Sequence, residues 1–124
     1  MRFKALIIPL AILSCSVRAT EMPPLEIPQL DEAYVNRFAD VVYRIEGGDK
    51  ARKPYGVLSV KVNSKEHARQ ITKNSIRNNW KRWHKAGKPD TFIVFFANRW
   101  CPPSADYQGN KNWINNARKI LNEY

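Results

Sequence analysis

Residues 31–48 read DEAYVNRFADVVYRIEGG, and this stretch indicates most clearly how the chain folds. Asp31 is a suitable N-cap, and Gly47-Gly48 would end a helix because glycine readily adopts the left-handed conformation of a helix stop. Between these signals, apolar side chains recur at spacings of three and four, the pattern of a helix with one buried face. The sequence therefore predicts a first helix from Asp31 to Glu46, with an apolar stripe of Tyr34, Phe38, Val41, Val42 and Ile45.

An extended segment and a second helix are predicted to follow. Residues 55–62 read YGVLSVKV and are apolar and β-branched, which favours a short strand or extended piece. Residues 63–66, Asn-Ser-Lys-Glu, resemble a capping box and predict a helix that begins at Asn63 and continues to Ala86-Gly87.

The last part of the chain predicts two more helices. Pro89 is suited to open a third helix, and Pro102-Pro103 would stop it. The fourth helix is predicted from about Gln108 to Asn122, where apolar side chains again share one face. The expected fold class is thus mainly α, with one short extended or β segment after the first helix.

Composition limits the classes of protein to which the chain can belong. Its 124 residues allow one domain, and its 14 aromatic side chains argue against disorder over the whole length. Two cysteines exclude a disulfide-framed mini-protein. The formal net charge of +10 points to an anionic partner, such as nucleic acid, a membrane surface or a cell-wall polymer.

The N-terminus has the layout of a secretory signal. A basic start precedes an apolar run of nine residues, too few for the roughly 20 that span a bilayer, and Val17-Arg18-Ala19 offers a cleavage site. A second scheme treats Cys15 as the lipidated residue of a lipoprotein signal. We expect a signal peptide over 1–19, a Pro-rich arm over 20–30, and a domain over 31–124. The mature chain would be periplasmic or secreted, without a transmembrane segment, and loss of three basic residues would leave a charge of +7.

Glu46 is the strongest candidate for a catalytic group. A carboxyl at a helix C-terminus lies near the negative end of the macrodipole, and apolar neighbours such as Ile45 remove water from it. Both effects favour the protonated form, which a general acid for glycosidic cleavage requires. Gly47 and Gly48 leave room for a sugar ring beside this acid.

These motifs resemble those of the lysozyme-like superfamily, especially soluble lytic transglycosylase-type domains. In that family a helix ends in Glu, followed by Ser or Gly and then Gly, as in Glu46-Gly47-Gly48. After a loop comes a pattern close to Gly-Leu-Met-Gln, which Tyr55-Gly56-Val57-Leu58-Ser59 resembles, with Ser59 where the family commonly has Gln. Residues 96–100 and 110–113 resemble the later cleft segments of the family.

The resemblance implies a small lysozyme-like helical domain that cleaves the β-1,4 bond between N-acetylmuramic acid and N-acetylglucosamine in peptidoglycan. Glu46 would act alone as general acid and base, assisted by the acetamido group of the substrate, without metal or cofactor. Tyr107 is the candidate for the supporting tyrosine of the family. We expect a monomer that binds peptidoglycan glycan strands through Gly48, Tyr55, Ser59, Asn98, Asp106, Tyr107 and Asn112.

Three alternatives stay open at this point. Asp49 or Asp106 could supply a second carboxylate across the cleft. The chain could instead be a non-catalytic peptidoglycan-binding protein on the same fold. A nucleic-acid-binding protein is the third reading, because the second helix carries a basic stripe, but an export signal argues against nucleic acid and the same stripe would suit an anionic cell wall. The stripe consists of Arg69, Lys73, Arg77 and Lys81.

Overall fold

The computed structural model describes residues 26–57 and 61–123, which form a mainly helical domain. Four α-helices carry the fold: α1 (Glu32–Ile45), α2 (Lys65–Lys85), α3 (Phe92–Trp100) and α4 (Tyr107–Leu121). Helix α1 packs against α2 and α4, and α3 packs against the same two helices. The predicted mainly α class is therefore confirmed for the part of the chain that the structure describes.

Helix α1 begins and ends where the sequence predicts. The side chain of Asp31 accepts a hydrogen bond from the backbone N–H of Ala33 at 3.3 Å, and Glu46 is the C-cap residue. Gly47 follows with φ of +114°, a conformation that glycine adopts without the clash that a Cβ would cause. Glu46 therefore lies at the end of a rigid helix, directly before a sharp change of chain direction.

The extended segment predicted over residues 55–62 is not seen among the residues described. Gly48–Lys50 and Pro54–Gly56 form two short 3₁₀ turns, and Val57, after the second turn, has extended dihedral angles. Tyr55 and Gly56 both have positive φ, +60° and +67°, so the chain turns sharply here rather than running as a strand. Leu58, Ser59 and Val60 lie outside the described residues.

The starts of α2 and α3 differ from the prediction by one and three residues. Ser64, not Asn63, caps α2, because its hydroxyl accepts from the N–H of His67 at 3.0 Å. Thr91 caps α3 through the N–H of Val94, and Asp90, at φ +61°, separates Pro89 from the helix. In both cases a hydroxyl closer to the helix serves as the cap. The predicted end of α2 at Ala86-Gly87 and the bounds of α4 agree with the structure to within one residue.

Aromatic side chains from three helices form the centre of the core. Phe38 of α1 and Phe96 of α3 are fully buried, with ring centroids 4.9 Å apart in an edge-on arrangement. Trp113 of α4 packs beside both rings, at 6.4 Å from Phe38 and 5.7 Å from Phe96. This packing holds the end of α1, the end of α3 and the first half of α4 together.

The predicted signal peptide, Cys15 and the first part of the arm lie outside the described residues. Of the arm, Glu26 to Leu30 are described, and the carbonyl of Pro28 accepts a hydrogen bond from the indole of Trp80 at 2.8 Å. No helix in the described part of the chain combines the length and apolar character needed to cross a membrane.

Candidate active site

The carboxyl group of Glu46 is held from one side by a buried tryptophan. Trp113 is 3% exposed, and its indole N–H donates to Oε2 of Glu46 at 3.1 Å. Among the described residues no other donor reaches this carboxyl group, and Oε1 accepts no hydrogen bond from them. Glu46 itself is half-buried. Trp113 of the core thereby orients Oε2, while Oε1 is available for proton transfer.

Gly56 approaches the same carboxyl group so closely that position 56 cannot carry a side chain without moving it. A Cβ built on Gly56 would lie 2.5 Å from Oε1 and 2.8 Å from Cδ of Glu46. The second 3₁₀ turn therefore brings the backbone directly against the end of α1. The sequence pattern gave Gly56 only as part of a family motif, and the structure shows the contact that requires glycine.

An open groove of about 440 Å³ begins at Gly56 and runs between α2 and the end of α3. One wall is a single face of α2, whose groove residues are three or four positions apart in the chain. The other wall is the last turn of α3, and the turn at 56–57 closes one end. The lining residues are Gly56, Val57, Ile71, Ser75, Asn79, Arg82, Arg99 and Trp100.

The predicted binding residues near the first turn lie apart from this groove. Tyr55 is 2% exposed, with its ring 5.0 Å from that of Tyr43, and its hydroxyl accepts from the guanidinium of Arg69 at 3.0 Å. Gly48 is half-buried beside the ring of Tyr43. Tyr55 thus belongs to the core that supports the turn. Ser59 lies outside the described residues.

The predicted residues of the later segments surround the start of α4. Asp106 is its N-cap and accepts from the N–H of Gly109 at 2.8 Å. Tyr107 is 64% exposed, and Asn112 is exposed one turn further on. Asn98, also exposed, accepts from the amide of Asn110 at 3.1 Å. None of these four lines the groove, so the structure does not bring this predicted set together with it.

The thiol of Cys101 is close enough to Asp106 and Glu46 for the negative charges of both to act on it. Burial raises the pKa of this thiol, and the negative charges of Asp106 and Glu46 raise it further. The thiol is therefore held in its neutral form, which is a poor nucleophile. A cysteine at this position acts as a small, protonated neighbour of the carboxyl groups.

Asp49, the other candidate for a second carboxylate, is engaged elsewhere. It accepts a hydrogen bond from the hydroxyl of Tyr43 and pairs with the ammonium of Lys65 at 3.2 Å. These two contacts, the tyrosine first, lower the pKa of the Asp49 carboxyl. Its side chain is otherwise exposed, on the outer face of the first 3₁₀ turn. Asp49 is thereby held by Tyr43 and Lys65, and neither of these contacts involves Glu46.

The basic stripe of α2 is largely used in ion pairs with α1. Lys73 and Arg77 both bind the carboxylate of Glu32, at 2.7 and 2.6 Å, and Arg69 binds Asp40 at 2.7 Å. The stripe therefore joins two helices, and much of its charge is neutralised within the fold. Prediction from spacing alone missed this because the acids belong to another helix.

Comparison of the chain with protein-family models, with curated proteins and with solved structures finds no match. Within residues 26–57 and 61–123, no group of three His, Cys, Asp or Glu side chains is arranged to hold a metal ion. The features that bear on function are therefore the geometry around Glu46 and the motifs at residues 46–48 and 55–57.

Proposed function

We propose that the chain is an exported peptidoglycan-cleaving enzyme, a lytic transglycosylase or lysozyme-like muramidase, in which Glu46 is the general acid and base. The observation that carries the proposal is the carboxyl group of Glu46, which is fixed through Oε2 by Trp113, has no donor to Oε1 among the described residues, and lies against the backbone of Gly56, a residue that lines the groove. The resemblance of residues 46–48 and 55–59 to lytic transglycosylase motifs supports the choice of substrate.

The geometry suits proton transfer in both directions. Oε2 can accept from Trp113 whether the carboxyl group is neutral or ionised, so the side chain keeps its position through the reaction. Oε1 carries the proton that moves to the glycosidic oxygen as the bond to C1 breaks. The acetamido oxygen of the muramyl residue then bonds to C1. Glu46 removes the proton of the C6 hydroxyl, whose oxygen displaces the acetamido group and closes an anhydro ring.

The test is the substitution Glu46→Gln, which retains an oxygen that can accept from Trp113 but cannot donate a proton from a carboxyl group. We expect it to abolish release of soluble muropeptides from purified sacculi, with unchanged thermal unfolding and unchanged sedimentation with sacculi. Asp49→Asn is the matched control, because it neutralises an exposed acid three residues away and should retain activity.

The products distinguish the two forms of the enzyme. Anhydromuropeptides, lighter by one water than hydrolysis products, indicate a lytic transglycosylase, whereas reducing ends indicate a muramidase. Full cleavage by the Glu46→Gln variant would refute the catalytic assignment. If the wild-type protein binds sacculi but releases no product, it is instead a non-catalytic wall-binding protein.

A further inference from the structure

Two arginines at the groove, one on α2 and one on α3, differ from the ion-paired residues Arg69, Lys73 and Arg77 of α2. Arg82 lies in the last turn of α2 and Arg99 in the last turn of α3, and both line the groove. Within the described part of the chain, neither guanidinium group has a carboxylate within 4.0 Å, whereas Arg69, Lys73 and Arg77 are all paired. Because basic residues in a last turn also stabilise helix ends, the two arginines alone do not indicate a ligand.

A second observation, which points to a ligand, is the unpartnered side chain of Asn79, one turn before Arg82 on the same wall of the groove. Asn79 is 4% exposed, and its Nδ2 donates to the backbone carbonyl of Ser75 at 2.9 Å and to its hydroxyl at 3.2 Å. Its Oδ1 is buried and accepts no hydrogen bond from the residues described. A buried acceptor without a partner is unfavourable, because it has lost its hydrogen bonds to water and gained none from the protein. An N–H group bound in the groove would remove this cost.

The remaining features of the groove fit a small substituent rather than a long chain. Its volume of about 440 Å³ falls in the range of small-ligand sites, roughly 300–1,000 Å³. Trp100 offers an aromatic surface and is itself held by stacking on Phe96 at 5.3 Å. Gly56 belongs to this groove and touches Glu46, so a group bound here lies beside the bond to be cleaved.

We infer that this groove binds the carboxylate-bearing arm of a muramyl residue, with Arg82 and Arg99 on the carboxylate and Asn79 Oδ1 on an amide N–H. The inference rests on the proposed function for the identity of the polymer. Guanidinium groups recognise carboxylates through paired, charge-assisted hydrogen bonds. The groove thereby selects wall strands over uncharged polymers with the same β-1,4 linkage. The carboxylate can belong to the lactyl group or to the stem peptide, and the experiment separates these sources.

The experiment measures binding in the Glu46→Gln background, so that its outcome does not depend on cleavage. Co-sedimentation with sacculi is compared for the parent, for Arg82→Gln/Arg99→Gln, and for Lys85→Gln/Lys119→Gln. The last variant removes the same charge from exposed positions outside the groove and outside the basic stripe. We expect at least a tenfold loss of affinity for the arginine variant and less than a twofold loss for the lysine control.

Chemically altered substrates identify the group that is bound. Conversion of the carboxylates of sacculi to amides should lower the affinity of the parent as much as the arginine substitutions do. The arginine variant should show no additional loss of affinity for these amidated sacculi. Chitin oligosaccharides, which lack the lactyl group, should bind both proteins equally weakly. An amidase hydrolyses the amide bond between the lactyl group and the stem peptide, which removes the peptide and frees the lactyl carboxylate. Affinity for these stripped strands assigns the arginines to the lactyl carboxylate, and lost affinity assigns them to the stem peptide.

Equal binding of parent and arginine variant, or equal affinity for native and amidated sacculi, would overturn the inference. These results are distinguishable from a failure of the proposed function. If wild-type protein cleaves sacculi but the arginines do not affect binding, only the groove assignment fails. If nothing is cleaved but binding needs both arginines, the groove assignment stands and the catalytic proposal fails.

Discussion

Replacement of Gly56 by alanine tests the link between the second 3₁₀ turn and Glu46. The new Cβ would lie 2.5 Å from Oε1, 2.8 Å from Cδ and 3.1 Å from Cγ of Glu46, closer than real carbon and oxygen atoms approach. Because the obstacle is a flexible side chain, the expected response is movement of the carboxyl group away from Gly56. Such movement lengthens or breaks the hydrogen bond from Trp113.

The magnitude has two parts. Position 56 has φ of +67°, where an L-residue costs about 1–2 kcal/mol relative to glycine, and this lowers Tm by several degrees in a domain of this size. The displacement of Glu46 acts on turnover: a misplacement of about 1 Å in a reacting group can cost on the order of a hundredfold. We therefore expect Gly56→Ala to be folded, slightly destabilised and nearly inactive on sacculi.

Gly87→Ala is the matched control. Gly87 also has positive φ, +86°, but a Cβ built there meets no atom within 4 Å. It should share the loss of Tm and retain full activity. Thermal unfolding, muropeptide release and the NMR signal of the Trp113 indole N–H measure the three effects separately. Equal activity in the two variants, with an unshifted indole signal in Gly56→Ala, would refute the proposed contact.

Two further substitutions examine Trp113 and the ion pairs of Glu32. Trp113→Phe removes the donor that orients Glu46, and because a misplacement of about 1 Å in a reacting group can cost on the order of a hundredfold, muropeptide release should fall by roughly ten- to a hundredfold. Trp83→Phe, which removes an indole bonded to the carbonyl of Pro89, should retain activity. Lys73 and Arg77 lower the pKa of Glu32 below its ordinary value of 4.5. The contribution of ionised Glu32 to stability is therefore fully present above pH 4.5, and it is lost as the pH falls through the lower pKa of the folded state. Urea titrations between pH 2 and 6 should show Glu32→Gln with a weaker loss of stability in acid than the wild type, and parallel pH curves would contradict this.

The sequence predicts well the features that depend on neighbouring residues. The apolar spacing of α1, its Asp31 cap and the glycine stop after Glu46 are all local, and they agree with the structure. The start of α3 was misplaced because Pro89 is permitted at a helix start, while the hydroxyl of Thr91 is the better cap. Residues 55–57 have the composition of a strand but no partner strand among the described residues, and positive φ at Tyr55 and Gly56 turns the chain instead.

The partners of Glu46 could not be read from the sequence. Trp113 is 67 residues away and carries the same signal as any apolar residue of α4, so periodicity assigns it to the core, where it does lie. Its second role depends on the direction of one N–H group. The groove likewise arises from residues on two helices and a turn, and only their packing shows that Arg82 and Arg99 face the same space.

The Glu46-Gly47-Gly48 motif and the turn at Tyr55-Gly56 lie against each other in the fold, a contact that neither motif explains alone. Gly47 ends α1 and reverses the chain, and Gly56 returns the backbone to the carboxyl group of the residue before that reversal. The return requires positive φ at Tyr55, which is costly for a residue with a side chain. Burial of the ring against Tyr43 and the hydrogen bond from Arg69 compensate for that cost. Tyr55 is therefore best understood as the residue that holds Gly56 against Glu46, which gives it a reason to be in the motif without any contact with substrate.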